Sequence, residues 1–210
     1  KTLTNEYFLL ALRNSLLIIV ICVPVLVALA LVISLGLSFG IRAVRKTRFA
    51  FVLPMVIPTA SAVLIWQSVF TDTSTPLPVY LLFIWKNIGI CIVLLTAAFT
   101  AIDGSIFEAA RLDGAGKFTL HTKITVPMIM PTIFFTVLLS VVNSFRIFKE
   151  SYLFFGTNYP PDHSYTLQYY MNNNFLKLDY QSLASAAVLT SVLVFLIVMG
   201  GLAVQRRYRQ

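Results

Sequence analysis

The sequence predicts an all-α polytopic membrane protein, and three observations carry that prediction. Hydrophobic residues make up 58% of the 210-residue chain and charged residues 11%, with a mean hydropathy of +0.84, whereas soluble domains are about one-quarter charged. Apolar runs of roughly twenty residues, the length that crosses a bilayer, recur along the whole chain. Basic residues gather in short groups at the ends of those runs, as positive-inside topology requires. No long polar linker divides the sequence, so residues 1–210 read as one membrane domain.

Taken in order, Lys1 to Asn14 mixes Tyr7, Phe8, Leu9 and Leu10 with Arg13, the pattern of an amphipathic helix lying at the membrane interface. The first span is Leu16 to Phe39; Pro24 is expected to kink it, and Gly36 and Gly40 form a GxxxG at its end. Arg42, Arg45, Lys46 and Arg48 follow with no acid among them and mark a cytoplasmic loop. The second span, Phe49 to Phe70, carries Pro54 and Pro58, which remove two helical donors and predict a broken helix. Thr71 to Pro76 is a polar outer loop. The third span, Leu77 to Thr100, holds Lys86 nearer its outer end. Two readings of Lys86 are open, an ammonium snorkelling to the interface and one facing a water-filled cavity. The fourth span, Ile124 to Phe145, begins around Pro127 and Pro131, which are tolerated near a helix start, and the fifth, Leu183 to Val204, ends at Arg206, Arg207 and Arg209. With this alternation ten of the sixteen Lys and Arg residues fall inside, including Arg111, Lys117 and Lys123 of the loop between the third and fourth spans.

That loop is the most informative stretch. Ile106, Ala109, Ala110 and Asp113 stand at i, i+3, i+4 and i+7, one small and mostly apolar face of a short helix. Asp113-Gly114 is a helix-stop signal, and Lys117 to Lys123 leads into the next apolar run. The reading is helix, sharp turn, helix. The order Glu108-Ala109-Ala110, Gly114, Ile124, Val126, Pro127 resembles the cytoplasmic EAA loop of binding-protein-dependent ABC importer permeases, with Val126 in place of the usual leucine. Further runs resemble the carbohydrate uptake branch, of the maltose and multiple-sugar type: ALRNSLLI, LPMVIPTASAVLIW, WKNIG, and FRIFKESYLFFG followed by MNNNF.

The resemblance implies a type I ABC importer transmembrane domain in a bacterial or archaeal plasma membrane. Such domains have six spans, so five lie in this chain and a sixth is expected upstream of Lys1. It implies three kinds of protein partner: ABC ATPase subunits holding ATP and Mg, a second homologous permease, and an extracytoplasmic solute-binding protein. Residues 101–123 become the EAA coupling loop, with Glu108, Ala109, Ala110, Asp113 and Gly114 gripping the ATPase. The sequence departs from the family pattern in a short outer loop between Phe70 and Trp85 and in GTNYPPD at 156–162, where relatives carry a glycine-rich run.

Gly114-Ala115-Gly116-Lys117 imitates part of a phosphate loop, but Arg111 and Phe118 occupy positions where GxxxxGK[ST] needs Gly and Ser or Thr, so the chain itself is not expected to bind ATP or to be an enzyme. Cys22 and Cys91 lie far apart in apolar spans without metal-ligand spacing and read as small buried hydrophobes; no metal site is expected. The net charge of +8 has no aromatic-basic groove beside it and points to membrane lipid rather than nucleic acid.

For substrate, Asn143, Arg146, Ile147 and Glu150 share a face if the fourth span continues as helix, and with Lys86 they are the candidate pathway residues. The resemblance puts Ile147 and Glu150 near sugar-contacting positions; the competing reading is an Arg146–Glu150 ion pair at the membrane surface. Eight aromatics from Tyr152 to Phe175 read either as an interfacial belt or as sugar-stacking faces, and His163 as a solvated loop residue. The expected function is import of a sugar or oligosaccharide. A glycerophosphodiester or polyamine is the alternative within the class. An ion-coupled secondary transporter is opposed by the absence of an Asp or Glu inside any span.

Overall fold

A computed structural model describes residues 2–38 and 48–207. Gly40, Arg42, Arg45, Lys46 and Arg209 lie outside the described residues, as do the side chains of Arg48, Lys117, Arg206 and Arg207. The described chain is helical, and its order follows from its breakers.

Helix α1 spans Glu6–Ser38. Asn5 caps it, its side-chain oxygen accepting from the N–H groups of Tyr7 (2.9 Å) and Phe8 (3.3 Å). No glycine or proline stands between that cap and Pro24, so the interfacial helix expected over Lys1 to Asn14 and the span expected from Leu16 are one continuous helix. One face of its first turns packs against the rest of the chain. Phe8 and Ala11 are buried in a cluster with Tyr165, Leu167, Tyr169 and Tyr170. Asn14 donates to the carbonyls of Asp162 and Tyr165, and Ser15 Oγ accepts from the N–H of Leu167. A π turn at Ile18–Cys22 directly precedes Pro24 and accommodates its missing N–H.

The second predicted span is two helices, α2 (Arg48–Val56) and α3 (Thr59–Val69), bent by 115°. The break falls at Ile57-Pro58, while Pro54 stays inside α2. Proline pushes its predecessor out of the helical region, and Pro58 itself is extended at ψ 138°. Helix α4 (Leu77–Thr100) starts with Pro78 in its first turn and packs along α1 and α2. Gly89 makes the second contact possible: a Cβ there would lie 2.7 Å from the Phe51 carbonyl oxygen.

A short helix, α5 (Gly104–Leu112), leads to α6 (117–128), whose middle is a π stretch, and α7 (Met130–Ser144) follows after a 64° bend at Ile129. The fourth span is therefore also broken; Pro131 occupies the first turn of α7, where its missing donor costs least, and Pro127 follows directly on the π stretch in the last turn of α6. After a turn at 145–147 come α8 (Phe148–Phe155), closed by Gly156 in the left-handed region at φ 64°, then α9 (Leu167–Leu176) and α10 (Tyr180–Arg207), which extends beyond both expected ends. Three of the helices found among the described residues are long and apolar enough to cross a membrane alone, and the two bent pairs bring the number of candidate spans to five.

The core joins Leu26, Ala30, Leu82, Phe83, Leu95 and Val141 at the junction of α1, α4 and α7, with Cys22 and Cys91 fully buried in it. On the outer side, Tyr165, Tyr169 and Tyr170 are buried, which corrects the expectation of an aromatic belt for these three; Tyr159, Phe175 and Tyr180 remain exposed. His163 is half-buried rather than solvated, because the loop that carries it folds down onto Asn14.

Candidate functional site

The 115° bend decides where the polar groups meet. It places Thr59, the first residue of α3, opposite Lys86 on α4, and Lys86 Nζ donates to Thr59 Oγ1 at 2.7 Å. Helix α8 approaches from the other side because Gln67 of α3 donates to the carbonyls of Phe154 (2.8 Å) and Leu153 (3.3 Å). Glu150 of α8 then reaches Lys86, with Oε1 3.5 Å from Nζ. The side chains of Lys86 and Glu150 are 15% and 18% exposed, so the pair is largely withdrawn from solvent.

The Arg146–Glu150 pair considered from sequence does not form: Glu150 faces Lys86 instead. Nor do Asn143, Arg146, Ile147 and Glu150 share one helix face. Asn143 is in the last turn of α7, Arg146 and Ile147 occupy the turn after it, and Glu150 lies in the first turn of α8. The turn nevertheless folds these residues around a cavity of about 370 Å³ together with Lys86. Asn143 Nδ2 donates to Asn87 Oδ1 at 3.1 Å, and Asn87 Nδ2 donates to the Phe83 carbonyl, so one wall is a fixed amide chain. Ile147 is buried and supplies an apolar floor. Arg146 and Lys149 are exposed at the cavity.

Four lining residues were not among the candidate pathway residues: Thr59, Phe83, Asn87 and Lys149. Asn87 and Lys149 are chain neighbours of predicted residues. Thr59 follows Pro58, and only the depth and direction of that break reveal its role.

At the other end of α4, about 21 Å from Lys86 along the helix, the Glu108 segment stands out from the body. Asp103 caps α5 by accepting from the Ser105 N–H at 2.9 Å. That bond holds the exposed Asp103 carboxyl below the usual carboxylate range, so the charged cap is complete at neutral pH and is lost as pH falls through the lowered value. Of the five predicted coupling residues, Ala110 is buried and Glu108, Ala109, Asp113 and Gly114 are exposed. Gly114 has φ 80°, which closes the helix as its sequence position predicts. Leu112 and Phe118, 90% and 81% exposed, bracket the turn with apolar surface. Sequence reasoning passed over them because exposure of a large apolar side chain is a tertiary fact.

Residues 8–210 match the family described as binding-protein-dependent transport system inner membrane component. The chain belongs to that family. This permease is 26% identical to the lactose transport system permease protein LacF of Rhizobium radiobacter, over 92% of this chain and 73% of that protein. It is likewise 26% identical to the arabinooligosaccharides transport system permease protein AraP of Bacillus subtilis (strain 168), over 93% of this chain and 71% of that one. Its fold matches a chain of the crystal structure of a bacterial ABC transporter involved in import of the acidic polysaccharide alginate, with a TM-score of 0.78, 21% identity, and 98% and 81% of the two chains covered. The permease is thus a multi-pass inner-membrane protein with the ABC importer transmembrane fold.

Proposed function

We propose that this permease forms half of a translocation pathway for a sugar or oligosaccharide, beside a second homologous permease. A solute-binding protein delivers the substrate, and ABC ATPase subunits holding ATP and Mg drive the cycle. The observation that carries the reading is the cavity at the bend. It is polar, lined by amides, a hydroxyl and charged groups, and it opens beside Lys86, which lies within a helix long and apolar enough to cross a membrane; irregular backbone inside a bilayer is tolerated only against protein or a water-filled space. Amide and hydroxyl walls suit the hydroxyl groups of a glycan. The sugar-linked names of relatives that match over nearly the whole chain support the same class.

In this reading residues 101–123 are the coupling loop. Glu108, Ala109, Asp113 and Gly114 meet the ATPase, with exposed Leu112 and Phe118 as its apolar anchors. Closure of the ATPases shifts the permease between two arrangements because the loop makes different contacts in each.

The test is ATP hydrolysis and uptake by the complex purified with its ATPase and binding protein and reconstituted in liposomes, over a panel of oligosaccharides and phosphodiesters. Stimulation of both by a glycan is the expected result; copurification of no ATPase would sink the proposal. Gly114→Val adds the local test. A β-branched residue in the left-handed region costs on the order of 1–2 kcal/mol, and a Cβ at Gly114 meets nothing within 4 Å, so the effect acts through the turn. Uptake is expected to fail while the variant accumulates in the membrane at the wild-type level.

A further inference from the structure

The cavity is electrically lopsided, and this bears on which glycan it admits; the inference rests on the proposed pathway. Among its described lining residues are three cations, Lys86, Arg146 and Lys149, and one carboxylate, Glu150. Glu150 is already engaged by Lys86, and Lys86 is further held by Thr59. Arg146 and Lys149 are exposed at the cavity, and neither has a carboxylate within ion-pair distance among the described residues. The remaining polar wall, Asn87 and Asn143, is neutral. The lining therefore carries a surplus of two positive charges within about 370 Å³.

We infer that the pathway selects glycans bearing negative charge, carboxylate or phosphate, with Arg146 and Lys149 as the groups that meet it. A neutral sugar uses the amides alone. A cationic solute such as a polyamine is repelled. Arginine offers a planar fork matched to a carboxylate, and lysine a mobile point charge that follows the anion as it moves. Low-dielectric walls strengthen both attractions relative to open water.

The test compares two oligosaccharides of equal length, one neutral and one built of uronate units, in the full complex reconstituted in phosphatidylcholine liposomes, which keep lipid anions out of the assay. Wild-type uptake is measured with Arg146→Gln/Lys149→Gln and with the charge-keeping pair Arg146→Lys/Lys149→Arg. The binding protein is the same throughout, so any change in preference belongs to the permease. The glutamine pair is expected to lower kcat/KM for the uronate glycan by about tenfold or more, a loss typical of charge-assisted hydrogen bonds, and the neutral glycan by less than about twofold. The salt dependence of uronate uptake should vanish with it. The charge-keeping pair should hold the wild-type ratio and shows that the site tolerates substitution. Wild-type uptake of the neutral glycan alone, or an equal loss for both glycans in the glutamine pair, overturns the inference and leaves the sugar pathway standing. If neither glycan stimulates hydrolysis by the wild-type complex, the pathway reading falls and the inference with it.

Discussion

Lys86 and Glu150 concentrate the residue-scale chemistry. Each satisfies the other at 3.5 Å, and Thr59 adds a 2.7 Å bond to the lysine. Removing one partner leaves a largely desolvated charge behind, which costs more than the pair contributes. Glu150→Gln and Lys86→Met should each lower stability by roughly 1–3 kcal/mol, the range for a charged group losing its hydrogen-bonded partner. The double variant should lose less than the sum of the two. The midpoint of thermal unfolding of the purified complex measures this, and strict additivity would show that the two side chains do not interact in the native protein. Each charge is visible in the sequence, but their pairing is not: the residues are 64 positions apart, and the helical spacing of Arg146 and Glu150 offers a nearer partner that the turn at 145–147 takes away. Lys86 shows the same limit. Its place along α4 is legible, whereas its choice between interface and cavity depends on Thr59 arriving through the bend.

Elements in this permease are defined by where helices stop, and breakers differ in how plainly they speak. The broken second span follows from its two prolines, yet only Pro58 makes the bend, because Pro54 finds room inside α2. The continuity of α1 is harder to read: polar Asn14 and Ser15 look like a boundary until the outer loop supplies their hydrogen-bond partners. Glycine is equally ambiguous in sequence and specific in structure. Gly89 sits where α4 meets α2, and an added Cβ would lie 2.7 Å from the Phe51 carbonyl oxygen, closer than real Cβ contacts allow. Gly201 on α10 would meet the Leu138 Cδ2 atom at 2.8 Å, the movable end of a side chain. Gly89→Ala must therefore push two backbones apart and is expected to destabilise by about 1–3 kcal/mol, the range for overpacking. Gly201→Ala needs only a rotamer change and should cost less than about 1 kcal/mol. Equal effects on the unfolding midpoint would refute the distinction between the two contacts.

At the scale of the whole molecule, the arrangement requires that the cavity and the Glu108 segment face opposite ends of α4. The 24 residues from Leu77 to Thr100 span about 36 Å as helix, enough to separate two aqueous compartments. Basic residues at 111, 117 and 123 give the expected sense, with the end that carries the Glu108 segment inside. Native thiols do not obscure a test, because Cys22 and Cys91 are both fully buried in the core. Wild-type protein in sealed membranes should resist a membrane-impermeant maleimide from either side. Exposed positions at the two ends of α4 should then report opposite faces: Thr73→Cys is expected to label from the outside, and Ala101→Cys only in inverted vesicles. The two variants must disagree for the fold to work as a conduit, since one mouth has to receive solute while the other end meets the energy source. Labelling of both from one side would mean that α4 does not cross the membrane, and the polar cavity at its outer half would then have no path to serve.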